Sequence, residues 1–391
     1  MTKTFYRPAG IPVIIAILVF GSIYVFRGLD VEQFFTKRRV KQALRDYADN
    51  VALKTLALLV EDVERLNAAV AQLKSDKSDE KVAAAAEAWR SAHGRYKMTK
   101  SFLYGPASWY DYDKRLATWP FDKILVDHAL GEMAAGQLQL DPHILREEKT
   151  SAMRGFYTME YLLFRKGQPR KAEDIGAAEL DYLTCTARAI LEESIDFEAS
   201  WLGTENLPVS NADIIQKAGI PGRSSYAYEF KNPGDSGSRY ASLSIPLQEV
   251  LQEITSVVEE ILPVIGGLRE GSKPENLNYW ESHDALADLT SELKGAENAY
   301  LGGVEGFRGH SVSELVAGHS KVLDRRVKIA FAHTEHRIAA LRNLKGENPE
   351  ERELAIRIAE AECKKLLARL AVVTPLVTLD PATDPWVVYG K

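Results

Sequence analysis

Residues 43–73 read ALRDYADNVALKTLALLVEDVERLNAAVAQL, and the spacing of their apolar side chains decides the fold. Leu44, Tyr47, Val51, Leu58, Leu59, Val63, Leu66 and Val70 recur at three- and four-residue steps. That period puts them on one face of an amphipathic helix. A helix with a single oily stripe has to bury it, so the stretch predicts other helices packed against it.

Those partners are readable on both sides. Lys74 to Asp79 is a polar loop, with Asp79 read as the N-cap of a helix that runs through Val82 and Trp89 towards Phe102. Gly105-Pro106 ends it, and an irregular aromatic stretch follows from Trp109 to Pro120. Helices are expected over Asp122–Met133, Leu145–Arg165 and Ala172–Leu202. Asn206 to Arg239 is rich in Gly, Pro, Ser and Asn and reads as a connection between two halves. Helical period resumes over Leu243–Leu268, Ser311–Lys345 and Glu350–Val373, while strand-like alternation is nearly absent. The pattern predicts an all-α protein made of two antiparallel helical bundles. Its divisions fall at residues 1–28, 29–205, 206–240 and 241–391.

The first 28 residues have a different character. Ile11 to Phe26 carries no charge, and it is flanked by Lys3 and Arg7 before and Arg27 after. A stretch that apolar on every side is a membrane anchor or an export signal. No convincing small-x-small cleavage site follows, which favours an uncleaved anchor. Lys3 and Arg7 would keep the N-terminus inside and send the remainder out, although Lys37, Arg38, Arg39 and Lys41 pull the other way.

Charge and cysteine content exclude several classes. With 55 acidic and 49 basic side chains over 391 residues, the formal net charge is -6, which argues against a nucleic-acid partner. Cys185 and Cys363 lie far apart in helical settings and read as small core residues, not as a zinc site or a disulfide.

The most chemically informative residue is Glu160, in the apolar run Gly155-Phe156-Tyr157-Thr158-Met159-Glu160-Tyr161-Leu162-Leu163. A carboxylate there must be paired, protonated or bound, since burying it alone costs on the order of several kcal/mol. Tyr157 lies three residues earlier, so the two share a helix face. Elsewhere, His333 and His336 offer a His-x-x-His spacing that is more simply a solvated surface pair. No His-Glu-x-x-His, Gly-x-Ser-x-Gly, phosphate loop or dinucleotide fingerprint occurs, and Gly302-Gly303 reads as a tight turn. Trp109, Tyr110, Tyr112 and Trp119 either plug the end of a bundle or line a ligand pocket.

Three segments together resemble the imelysin family, bacterial cell-envelope proteins associated with iron uptake and named for an insulin-cleaving activity. They are Trp89 to Gly105 with Thr118-Trp119-Pro120-Phe121-Asp122, then Gly155 to Leu163, then Tyr279 to Asp284 with Glu297 to Gly303. The second is similar to the family's Gly-x-His-x-x-Glu motif, with Tyr157 in place of the histidine. Lys100 stands where the first segment resembles a family glutamate. The resemblance implies two helical bundles and a ligand site drawn from Glu160, Tyr157, Lys100, Trp119, Asp122 and Glu281. Glu160 would be the remaining ligand for iron or another divalent metal. The replacements also raise the expectation that Lys100 and Glu160 form a structural ion pair where relatives hold a ligand. Trp280, Glu281 and Ser282 could face the Trp109, Tyr110, Tyr112 and Trp119 group across the junction, where sequence alone does not place them.

The resemblance further implies a non-catalytic binding protein of the bacterial cell envelope, on the periplasmic side, associated with iron acquisition. Its partners would be the membrane, through the N-terminal helix, and envelope proteins of iron uptake. Two other readings stay open: a structural or partner-binding envelope subunit that has lost the metal, and a metallopeptidase.

Overall fold

The computed structural model describes residues 36–269, 281–282, 284–341 and 348–377. The expected anchor at residues 1–28, with Trp280, His283 and the C-terminal tail, lies outside the described residues. None of the described helices is long and apolar enough to cross a membrane.

The fold is all-α, as the periodicity predicts. Residues 36–46 are helical and pass through a π-helical stretch, Tyr47–Leu53, into α1, Lys54–Ser75. The π stretch has an external anchor: the Asn50 carbonyl accepts from the Val304 backbone N–H at 3.0 Å. Three residues turn the chain into α2, Asp79–Met98, whose N-cap is Ser78 and not Asp79. The Ser78 hydroxyl accepts from Lys81 N, and Asp79 takes the first helical position, where its charge suits the helix dipole.

Short helices α3, Pro106–Trp109, α4, Tyr112–Ala117, α5, Lys123–Ala134, and α6, Pro142–Arg146, wrap the aromatic stretch. The expected helix over Leu145–Arg165 is divided. A 3₁₀ stretch, Glu148–Met153, follows α6, and α7 covers only Phe156–Leu163. Apolar spacing continues through the break, but Arg154 is extended and Gly155 has φ +84°, which no helix accommodates. A two-residue hairpin, Phe164–Arg165 paired with Gln168–Pro169, then leads to α8, Ala177–Leu202.

The connecting region holds α9, Val209–Lys217, and α10, Tyr226–Lys231. Beyond it run α11, Ser244–Gly266, α12, Ala285–Leu301, α13, Val312–His319, α14, Lys321–Leu341, and α15, Pro349–Val377. The single helix expected from Ser311 is two, because Ser320 is extended and its hydroxyl caps Leu323 N at 3.2 Å. Helix α12 was not anticipated, since its buried face carries Asp288, Glu292 and Asn298 among the apolar residues.

Helices α1, α2 and α8 pack together with α7, while α11, α12, α14 and α15 form a second set. The sets are not insulated from one another. Helix α12 lies against α2, and one apolar cluster runs through both sets. Cys185 and Cys363 are buried and unpaired, as the core reading expects.

The α2–α12 approach depends on Gly295. A Cβ there would sit 2.4 Å from the Met98 carbonyl oxygen, inside any real contact. Gly295→Ala is expected to lower unfolding free energy by about 1–3 kcal/mol, the usual cost of overpacking. Urea unfolding with an unchanged slope checks this, and a midpoint equal to that of the parent would refute it.

Candidate functional site at the junction of the helical sets

The α2–α12 seam carries charge at helical spacing on both sides. On α2 the contributing residues are Arg90, His93 and Lys97, and facing them are Asp284, Asp288 and Glu292. Steps of three and four keep each trio on one helix face. Matching numbers rise together, so the two helices run in the same direction and the charges pair as rungs. Arg90 Nε donates to Asp284 Oδ2 at 2.7 Å, and Lys97 Nζ to Glu292 Oε1 at 3.0 Å. Between them His93 Nδ1 lies 3.3 Å from Asp288 Oδ1. That contact is outside hydrogen-bond geometry, and both ring nitrogens and Asp288 Oδ2 are buried without a hydrogen-bond partner among the described residues.

Helix α7 delivers Tyr157 and Glu160 to the same place. Trp89 Nε1 donates to the Phe156 carbonyl at 3.0 Å, and Phe156 stacks on Tyr96 with ring centres 5.3 Å apart. These contacts fix the first turn of α7 against α2. Glu160, only 2% exposed, then accepts the Ser282 backbone N–H on Oε1 at 2.9 Å. Ser282 thus reaches Glu160 across the junction. Burial is the main force on Glu160, opposed by the Ser282 donors and reinforced by Asp288 and Asp284, and its carboxyl is pushed up to about 8. At neutral pH the group is mostly a neutral acid.

Tyr157 is 4% exposed, edge-on to His93 at 5.8 Å and to Trp119 at 5.4 Å between ring centres. Burial, only partly offset by Lys97, pushes its phenol up to about 12, so it is not a tyrosinate near neutrality. Trp119, half-buried, packs edge-on against Tyr157 on the aromatic side of the site.

The remaining expected residues are placed differently. Lys100 does not meet Glu160; it pairs with Asp113 at 2.5 Å, where Tyr96 also donates its hydroxyl. Lys100 leaves α2 in the 3₁₀ turn Thr99–Phe102, which points it towards α4. Asp122 is the N-cap of α5, its carboxylate accepting Leu125 N at 3.1 Å. Glu281 is buried beside the site, and its carbonyl accepts Gly167 N of the hairpin at 2.7 Å. His333 is exposed, with Nδ1 3.9 Å from Glu362.

Among the described residues no three His, Cys, Asp or Glu side chains converge as ligands. A protonated carboxyl, an undissociated phenol and the Lys97 ammonium are poor company for a cation.

Sequence reading missed Arg90, His93, Lys97, Asp288 and Glu292. The available signal was a basic stripe at i, i+3, i+7 opposite an acidic stripe at i, i+4, i+8.

A family model described as imelysin matches residues 52–377. Iron-regulated protein A of Synechococcus elongatus is 22% identical over 348 residues, covering 88% of this chain and 86% of that protein. A solved chain from Parabacteroides distasonis, described as an iron-regulated protein A precursor, superposes with a TM-score of 0.68 at 22% identity. It covers 88% of this chain and is itself covered over 96% of its length. An imelysin-like protein from Psychrobacter arcticum gives a TM-score of 0.53 at 13% identity, with 87% and 93% covered.

Proposed function

We propose that this chain, which belongs to the imelysin family, is an exported envelope protein that serves iron acquisition by binding and without catalysis. The observation that carries the reading is the sealed junction. Where the family resemblance leads one to expect histidine and glutamate ligands, there is a buried phenol beside a protonated carboxyl. Two of the three rungs beside it are closed ion pairs, Arg90–Asp284 and Lys97–Glu292, with His93 and Asp288 between them. Such a seam fixes the register of two helices. Tyr157 and Glu160, both protonated near neutrality, offer neither a nucleophile nor a general base to a peptide bond.

Residues 1–28 would hold the protein at the membrane, with 29–205 and 241–391 as bundles on the periplasmic side and 206–240 joining them. The apolar N-terminal run supports the anchor, and a relative described as an iron-regulated precursor supports export and the iron association. Iron-uptake proteins of the envelope would then be its partners.

Metal titration of the purified full chain in detergent tests this. The parent is expected to retain no stoichiometric ferrous or ferric iron, and Tyr157→His to gain affinity by adding an imidazole beside His93 and Glu160. Stoichiometric iron in the parent, abolished by Glu160→Ala, would overturn the loss of the metal site, make Tyr157 a ligand variant and leave the iron role standing.

A further inference from the structure

A second constellation of buried charge lies on α8, built from residues that the junction does not use. Arg115 of α4, Arg146 of α6 and Arg223 of the connecting region converge on Glu192, Glu193 and Asp196. Arg115 reaches Glu193 at 2.7 Å and Asp196 at 3.2 Å, and Arg223 Nε reaches Asp196 at 2.7 Å. Arg146 bonds Glu192 and also donates to the Ala218 carbonyl at 2.6 Å. The three carboxylates are 6%, 2% and 0% exposed, so they form the floor beneath the guanidinium groups.

Above that floor the arginines open onto a cavity of about 230 Å³, closed on one side by residues 218–221. Its wall carries Arg115, Arg146, Arg223 and His143 against a single carboxylate, Glu147, among the described residues. A network that only clamped the connecting region to α8 would need no such opening. Each guanidinium has five N–H groups in a planar fork. With Arg223 Nη2 also donating to Asp196 Oδ2 at 2.9 Å, these contacts engage two nitrogens of each. Arg154 stands behind the wall, 3% exposed, with Nη1 on the Leu145 carbonyl at 2.7 Å and Nε without a partner among the described residues. Burial and the neighbouring Arg115 hold both Arg146 and Arg154 below the ordinary arginine range, outweighing the attraction of Glu193. Arg146 is thus partly desolvated at the cavity wall, while the bonds to Asp196 hold Arg223 above the ordinary arginine range.

We propose that this cavity binds a small multivalent oxyanion, a phosphate or a polycarboxylate, through Arg115, Arg146 and Arg223. Planar guanidinium forks match the paired oxygens of such ions, and three of them from separate elements would surround one. The volume equals about seven or eight waters, at roughly 30 Å³ each, enough for one such ion with part of its hydration. Arg223 belongs to the connecting region, with its backbone N–H held by Thr204 Oγ1 at 2.7 Å. Occupancy would therefore also fasten that region to α8.

Calorimetric titration of the full chain in detergent, at constant ionic strength, with inorganic phosphate and separately with citrate, tests the proposal. Saturable one-to-one binding of at least one probe is expected. Phosphate alone would identify a phosphoryl ligand, and citrate alone a polycarboxylate. Arg146→Gln leaves Glu192 paired with Arg188, and Arg223→Gln leaves Asp196 paired with Arg115, so both floors stay neutralised. Each is expected to weaken binding at least tenfold, and Arg146→Lys less. Absence of saturable binding by the parent, or unchanged affinity in both glutamine variants, overturns the proposal. Should a variant not fold, the parent titration and the other variant still decide it.

Discussion

Gly155→Ala is expected to cost about 3–5 kcal/mol of unfolding free energy, a large part of the roughly 5–15 kcal/mol that holds a native protein together. Two independent penalties fall on one atom. Gly155 has φ +84° and ψ −167°, a region that is essentially reserved for glycine and costs a side-chain-bearing residue about 1–3 kcal/mol. An added Cβ would also lie 2.2 Å from the Leu116 carbonyl oxygen and 2.8 Å from its carbon, so α4 and the start of α7 would have to separate. Backbone cannot rotate away as a long side chain can, which places this overlap at or above the usual cost of about 1–3 kcal/mol for overpacking. The damage would not stay local, because Gly155 sets the entry of the helix that carries Tyr157 and Glu160. Urea unfolding should show a much lower midpoint with little change in slope, and near-ultraviolet circular dichroism should report disturbed packing of Trp89, which bonds the next carbonyl. A midpoint within 0.5 kcal/mol of the parent, on the order of an ordinary surface substitution, would mean that the turn relaxes freely and that the glycine has another purpose.

Much of this architecture is legible in the sequence because it rests on helical period. The stripe from Leu44 to Val70 is buried as expected except at Leu58, which is only half-buried while Leu56 takes the core position, and the long helices around it are present. What failed were the interruptions, which depend on one or two residues without changing the apolar period. The break at Gly155 needs a backbone angle, and the break at Ser320 needs a hydroxyl turned onto Leu323 N. The same distinction holds at the site. Glu160 and Tyr157 stand out because a carboxylate three residues from a tyrosine is odd in an apolar run. Lys100 was expected to face Glu160 because both lie near motif positions, but a 3₁₀ turn rotates it towards Asp113. The partners that do reach the junction, His93, Lys97, Asp288 and Glu292, look like ordinary surface charge in one dimension. Only the contact between α2 and α12 turns two solvated stripes into a buried seam.

That seam makes stability depend on pH through Glu160. Its carboxyl titrates near 4.5 in an ordinary setting and at about 8 in the folded protein. The folded state therefore holds a proton that the unfolded chain releases as pH rises above the ordinary value. Below about 4.5 the group is neutral in both states and exacts no penalty. Between 4.5 and 8 its contribution falls as pH rises, and above 8 the loss levels off, because the folded protein must then bury the charge as well. At about 1.4 kcal/mol per unit of displacement the full swing is several kcal/mol. Glu198 and Glu253, both raised to about 7 by burial, bend the overall curve the same way, so only a difference isolates Glu160. Glu160→Gln supplies it: the amide oxygen still accepts the Ser282 N–H, the volume is nearly unchanged, and nothing titrates. The stability of the parent minus that of this variant should be flat at low pH, decline through the neutral range and flatten again in mild alkali. The variant is expected to be the more stable protein above pH 8. Glu160→Ala should follow the same pH course as the glutamine variant, displaced downward: it loses about 2–4 kcal/mol at low pH through the cavity and the orphaned Ser282 donor, and that deficit shrinks as the parent itself loses stability at higher pH. Denaturant unfolding from pH 4 to 9 distinguishes these cases. Parallel parent and glutamine curves would show that Glu160 is ionised in the folded protein, and the junction would then have to supply a cation for it other than Lys97, which is already paired with Glu292.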